Sequence, residues 1–177
     1  MNIGINLLFL LPGTVGGTET YAVSLLEALS HIDQRNEYIV FLNSESADLG
    51  LPTQPNFRRV VCPVPAKFRA ARYLWEQCVL PFQVRMHRLD LLHSLGYVQP
   101  LFLSCPSVVT IHDLNFHNLR RFFSPAKRIA LRAFVTHSAR RANHIITVSE
   151  FSKSQFEKML GIPRDKVTVT YNATTEQ

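Results

Sequence analysis

Short apolar runs and segments of helical periodicity take turns along this chain. That alternation dictates an α/β fold, a mostly parallel sheet joined by right-handed crossovers. Ile3 to Leu11 reads as a continuous apolar strand, closed by a glycine-rich turn from Pro12 to Gly17. A helix follows over Thr18 to Ser30, where Ala22, Leu25, Leu26 and Leu29 recur at the spacing of one helical face. Tyr38 to Leu42 and Arg59 to Cys62 read as short strands around a polar loop, Asn43 to Pro55. Ala66 to His87 is expected to be helical, ended or kinked by Pro81. Leu89 to His93 and Ser107 to Ile111 are strands flanking a loop from Ser94 to Pro106. A basic helix over Pro125 to Arg141, a strand over His144 to Val148 and a helix from Ser149 to Gly161 follow. Val167, Val169 and Tyr171 alternate as a final strand.

At 177 residues, 46% hydrophobic and 18% charged, the chain suits one domain with a sheet buried on both faces. It is too apolar for a disordered chain, and no apolar run approaches the roughly 20 residues of a membrane helix. The start lacks a basic leader and a small-residue cleavage site, so it reads as a strand, not a signal peptide. Cys62, Cys78 and Cys105 have no metal-ligand spacing and read as reduced thiols of a cytosolic protein. The net charge of +6 is uneven: Phe57 to Arg88 and Leu114 to Ser149 together carry +13, leaving about −7 for the rest. Two readings stand, solvated helix faces or a surface turned toward an anionic membrane or lipid diphosphate. Nucleic acid is not expected, because no aromatic-and-basic strand platform or recognition helix accompanies the charge.

Open parallel sheets bind ligands beyond the carboxyl ends of their strands. Three loops fall there: Pro12 to Thr18, Ser94 to Pro106, and His112 to Phe116, with Ser149 and Glu150 on the same edge. Gly13-Thr14-Val15-Gly16-Gly17-Thr18-Glu19 gives close backbone approach and a helix N-terminus, fit for a phosphate or for no more than a tight turn. It lacks the Lys of a P-loop and the spacing of the dinucleotide fingerprint, and Asn43 stands where that fingerprint wants an acid. His112-Asp113 ends a buried strand and faces the expected cleft, where it either binds a sugar hydroxyl or is structural. No metal site is expected, since His93, His112 and His117 lack matching acidic ligands. Ser149 and Glu150 suit a helix cap first. Asn172-Ala173-Thr174 matches the N-glycosylation pattern and reads as a chance match.

The strand followed by Gly-Gly-Thr-Glu and a helix, then Val109 to Leu114, then Ile146 to Lys153, resembles the group-one retaining glycosyltransferases of the GT-B class. Bacterial mannosyltransferases of surface-polysaccharide assembly are among them. The resemblance runs from Met1 to about Asn172 and implies a Rossmann-like fold with helices on both faces of the sheet. Residues 1–177 would be the N-terminal, acceptor-side domain. The nucleotide-sugar domain, with its paired glutamates, would lie outside this sequence.

By that likeness Gly16 and Gly17 approach the donor diphosphate, and Thr18 and Glu19 lie near the acceptor. His112 meets the transferred sugar with Asp113 beside it, and Ser149 and Glu150 sit at the cleft edge. The implied co-substrate is a GDP- or UDP-sugar, with no metal or other cofactor, and the acceptor is a glycan or a lipid-linked sugar. A cytoplasmic protein, working at the cytoplasmic face of a membrane, is the expected setting. Where the family often has Asn-Gly after the last strand, this chain has Asn172-Ala173. A non-catalytic module of the same fold, binding a glycan or an anionic surface, is the alternative.

Overall fold

A computed structural model describes residues 1–114 and 125–172. Asn115, Phe116, His117, Arg120, Arg121, Ala173 and Thr174 lie outside the described residues, as do the side chains of Lys127 and Arg128. Seven parallel strands form one sheet in the order β3-β2-β1-β4-β5-β6-β7. They are β1 (Asn2–Asn6), β2 (Glu37–Leu42), β3 (Phe57–Val61), β4 (Leu91–Ser94), β5 (Ser107–Thr110), β6 (His144–Thr147) and β7 (Val167–Val169). The helices are α1 (Gly17–Ile32), α2 (Arg69–Cys78), α3 (Leu80–Met86), α4 (Pro125–Arg141) and α5 (Glu150–Leu160). The chain winds outward one way from β1 to β3 and the other way from β4 to β7. The topological switch point therefore lies between β1 and β4.

Side-chain parity shows which helix covers which face. Ile5, Tyr38, Val40 and Leu42 pack with Ala22 and Leu26 of α1. Ile39, Phe41 and Leu92 point the other way, against Leu80 and Val84 of α3. Val109 and Ile145 join Val135 and Ala139 of α4 and Phe156 of α5. Right-handed crossovers put every connection from β3 onward on this second side, so among the described α-helices only α1 lies on the first, joined by Leu49 and Leu51 of the β2–β3 connection. Register carries the α1 side across the sheet through His93, Val108, His144 and Thr168, none of them fully buried. A cavity of about 670 Å³ opens there, lined by Leu25 and Leu29 of α1 with His93 and Ile146.

Several expected boundaries move. β1 stops at Asn6, not Leu11, because the Asn6 side chain accepts the Leu8 N–H at 3.1 Å and turns the chain. Leu7, Leu8 and Leu10 stay fully buried in that turn, which explains why the run is apolar to its end. The helix expected over Ala66 to His87 divides at Val79, since Pro81 has no N–H for the helical ladder. β3 begins two residues earlier than expected and ends one earlier. The last strand ends at Val169, leaving Tyr171 73% exposed. α5 keeps both expected caps: Ser149 accepts the Ser152 N–H at 3.1 Å, and Gly161 takes the left-handed φ of 64°.

Candidate active site

The loop from Gly13 to Thr18 brings the N-terminus of α1 to the carboxyl edge of the sheet. Gly16 holds φ 58° and ψ −132°, a conformation open in practice only to glycine. A Cβ at Gly16 or Gly17 would meet nothing within 4 Å, so the backbone there faces open space. α1 has no side-chain cap. In its first turn the Glu19 N–H donates to the Gly16 carbonyl at 2.9 Å, and those of Gly17 and Thr18 face an anion with the dipole end behind them. Glu19 folds back instead, its carboxylate accepting the Gly13 N–H at 2.9 Å and fixing the loop. Thr18 follows at the second helical position.

His112 stands just past β5 and is fastened through its backbone. Its carbonyl accepts hydroxyl hydrogen bonds from Thr147 at 3.2 Å and Ser152 at 2.9 Å. Ser152 also carries the Ser149 cap, so β6, the start of α5 and His112 are one bonded unit. The imidazole lies edge-on to Tyr21 of α1, with ring centres 4.8 Å apart, and 5.9 Å from the ring of Tyr97. Its Nε2 is buried with no hydrogen-bond partner among the described residues. Burial holds the imidazole below its ordinary pKa, partly offset by the adjacent Asp113 carboxylate, so the ring is neutral at pH 7. A neutral imidazole with an unsatisfied nitrogen suits a hydrogen bond to a hydroxyl.

Asp113 is half-buried beside it, and its negative charge, after burial, raises the pKa of Tyr97. Glu150 sits at the far rim in an exposed ion pair with Arg164 at 3.3 Å. Of the expected site residues, Gly16, Gly17 and His112 share one edge, with Tyr21 linking α1 to the imidazole. Glu19 is occupied within its own loop. Ser149 and Glu150 are occupied by the cap and the ion pair.

Sequence reasoning passed over four positions. Tyr21 lies on the side of α1 turned to His112. Tyr97 has φ 65°, a left-handed conformation rare for an aromatic residue, at the tip of the loop after β4. Its place directly after Gly96 was the available signal. Gln77 clamps the same loop, donating to the Gln99 carbonyl at 3.1 Å and accepting the Leu101 N–H at 2.9 Å. Glu76 is 1% exposed, and its Oε1 takes a hydrogen bond from Asn6 at the end of β1. Gly96 packs against the Phe9 ring, leaving no room for a Cβ and joining the loops after β1 and β4.

Asn43 is spent structurally, donating to the carbonyls of Leu8 and Leu10 at 3.0 and 2.6 Å, so it has no amide hydrogen left for a ribose. Among the described residues no three His, Cys, Asp or Glu side chains gather as metal ligands.

A Rossmann-like sheet with an open helix N-terminus and a sequestered imidazole at its switch-point edge offers a ligand site where such sheets hold one. Residues 15–176 match the glycosyltransferase family 4 domain, and the chain belongs to that family. No curated protein is significantly similar in sequence. Among solved structures, the apo lipopolysaccharide outer core galactosyltransferase WaaB superposes with a TM-score of 0.59 at 14% identity. That match covers 99% of this chain and 46% of that one. A glycosyltransferase from Rickettsia africae gives 0.55 at 12% identity, covering 96% and 42%. A sucrose-phosphate synthase from Thermosynechococcus elongatus gives 0.55 at 11%, covering 90% and 83%. At these identities the likeness is one of fold. The chain spans less than half the length of the first two structures.

Proposed function

We propose that the chain is the acceptor-side half of a retaining glycosyltransferase that moves a hexosyl group, mannosyl foremost, from a GDP- or UDP-sugar. The acceptor is a glycan or a lipid-linked sugar of polysaccharide biosynthesis, met at the cytoplasmic face of a membrane. The observation that carries this reading is the buried Nε2 of His112, without a partner among the described residues and flanked by Tyr21 and Tyr97, on the same sheet edge as the open Gly16-Gly17 backbone. An unmet nitrogen is costly unless a ligand hydroxyl satisfies it in the working state. Gly16 and Gly17 would face the donor diphosphate through backbone N–H groups, and Thr18 and Glu19 would border the acceptor. Asp113 would orient a hydroxyl beside His112. Ser149 and Glu150 would shape the edge through the cap and the Arg164 pair.

One wall cannot hold donor and acceptor together, so the 177-residue chain assayed alone is expected to turn over no nucleotide sugar. Turnover by the purified chain, lost on His112→Ala, would overturn the half-site reading. Backbone NMR with inorganic pyrophosphate supplies the positive arm. Shifts should concentrate at Gly16, Gly17 and Thr18, and their absence there would remove the donor role from the loop.

A further inference from the structure

α2 starts at the carboxyl edge of the sheet. The chain leaves β3 on that edge and enters β4 from the other, so α2 and α3 run down the sheet between them. Asn6, the last residue of β1, donates to Glu76 and marks the level of the strand ends. Arg72 lies one helical turn nearer the start of α2, about 6 Å further out and beyond the strand ends.

The Arg72 side chain is buried, yet its charge goes unanswered. Its Nε has no partner among the described residues, and neither of their two ion pairs includes it. Glu76 is the nearest acid along the helix, but burial raises its pKa to about 7, so it is only partly ionised near neutral pH. Glu45 is taken up by the N–H groups of Ala66 and Lys67 at 2.8 and 3.4 Å. Asp90 accepts the Asn2 N–H at 2.7 Å on the opposite edge of the sheet. The charge of Asp113 acts on Tyr97 and His112. A guanidinium keeps its proton when buried, and it costs stability until an anion meets it.

What the fold does supply is a platform. The guanidinium carbon of Arg72 lies 4.4 Å from the ring centre of Tyr73, which stacks on Phe134 of α4 at 4.9 Å. Tyr73 also packs against the cluster that holds Val98, Ile111 and Leu114. Val98 adjoins Tyr97, and Ile111 adjoins His112. The cation is therefore backed by an aromatic ring and tied to both loops of the candidate active site.

We infer that Arg72 binds the acidic group of an acidic sugar acceptor, a phosphate or a carboxylate whose two oxygens meet Nε and a terminal nitrogen. The choice of a sugar rests on the acceptor-side reading proposed above, whereas the anion site stands on Arg72 itself. A neutral glycan leaves the buried cation unanswered, so the site selects against it.

The test uses the whole 177-residue chain and the NMR signal of the Arg72 Nε–H, assigned by its loss in Arg72→Lys. Mannose 6-phosphate, glucuronate and neutral mannose are titrated at one ionic strength, held constant with sodium chloride. A saturable shift with an acid and none with mannose is the expected result. The tighter of the two acids tells a sugar phosphate from a uronic acid. Arg72→Lys keeps the charge without the fork and should bind about ten-fold more weakly, with Arg72→Met weaker still, both read at the Tyr73 backbone amide. Titration of the parent chain decides even where a variant fails to fold. Equal shifts with mannose, no shift with either acid, or undiminished binding by Arg72→Met would overturn the inference. If Arg72 stays silent while pyrophosphate still moves Gly16, Gly17 and Thr18, the acidic acceptor falls and the donor loop stands. A saturable shift at Arg72 with no response at those three residues upholds the anion site and removes the donor role instead.

Discussion

Replacing Glu76 by Gln removes a charge the fold holds at a loss. The carboxyl lies beneath the switch point, with Asn6 donating to Oε1 at 3.3 Å and Oε2 buried without a partner among the described residues. The charge of Arg72 acts on it, yet the Nε of Arg72 has no partner among the described residues either, and no ion pair within 4.0 Å joins the two. Burial therefore outweighs the arginine's attraction and pushes the Glu76 pKa from 4.5 up to about 7. A carboxyl whose pKa is raised on folding binds more protons folded than unfolded between those values. Its contribution is thus intact below pH 4.5 and lost as pH rises toward and past 7. A shift of that size corresponds to about 3 kcal/mol at alkaline pH.

Glu76→Gln keeps the acceptor for Asn6 and cannot ionise. The variant should match the parent near pH 4 and exceed its stability above pH 8, by up to about 3 kcal/mol. Urea unfolding of both proteins across that range, read by Trp75 fluorescence, measures the difference directly. Loss of a closed buried ion pair would instead destabilise the variant by about 3–5 kcal/mol at neutral and alkaline pH, and that result would refute the reasoning.

Other expectations are more local. In a transferase that contains this domain and turns over its sugar, His112→Ala should lower kcat/KM by about ten-fold or more while shifting Tm little, because the ring packs on two tyrosines at a rim; an early melt with proportional loss would make it a core residue. Gly16→Ala should cost about 1–3 kcal/mol for its backbone conformation, and Gly161→Ala, in the left-handed region, about 1 kcal/mol, both readable by denaturant midpoints. Burial lowers the pKa of His93 from 6.5 to about 4, so the fold loses stability as pH falls through that window; His93→Gln, keeping a bond to Thr110, should flatten this acid limb by about 3 kcal/mol.

The alternation of apolar runs and helical periodicity was enough to expect a parallel α/β sheet, because such strands must be covered on both faces. The caps of α5 were equally readable, since Ser149 and Gly161 act on their own local backbone. Local reasoning fails where distant residues decide. Nothing in Ile3 to Leu11 reveals that the Asn6 side chain bends the run into a buried turn. The stripe on α1 was legible as one apolar face, but not that Leu25 and Leu29, beside the core, also line the cavity on the thinly covered side of the sheet. α2 misleads most, because its charged Arg72 and Glu76 look solvent-facing until Asn6 and Ser94 are seen at the strand ends. The site was legible as a set of loops. That Tyr21 and Tyr97 enclose His112 depends on β1, β4 and β5 meeting at one edge, which no single segment records.

The contact between Gly96 and Phe9 has a consequence for how this protein can change over time. The two loops beside the switch point share one parcel of space, and the phenylalanine fills the glycine's share of it. Neither position is free to drift alone: bulk gained at residue 96 has to be surrendered at residue 9. A substitution chosen to reshape the pocket from one loop is therefore a change to both. Variants that couple a smaller residue at position 9 with a larger one at position 96 form the passable route, while either step alone leads through a hole or a clash.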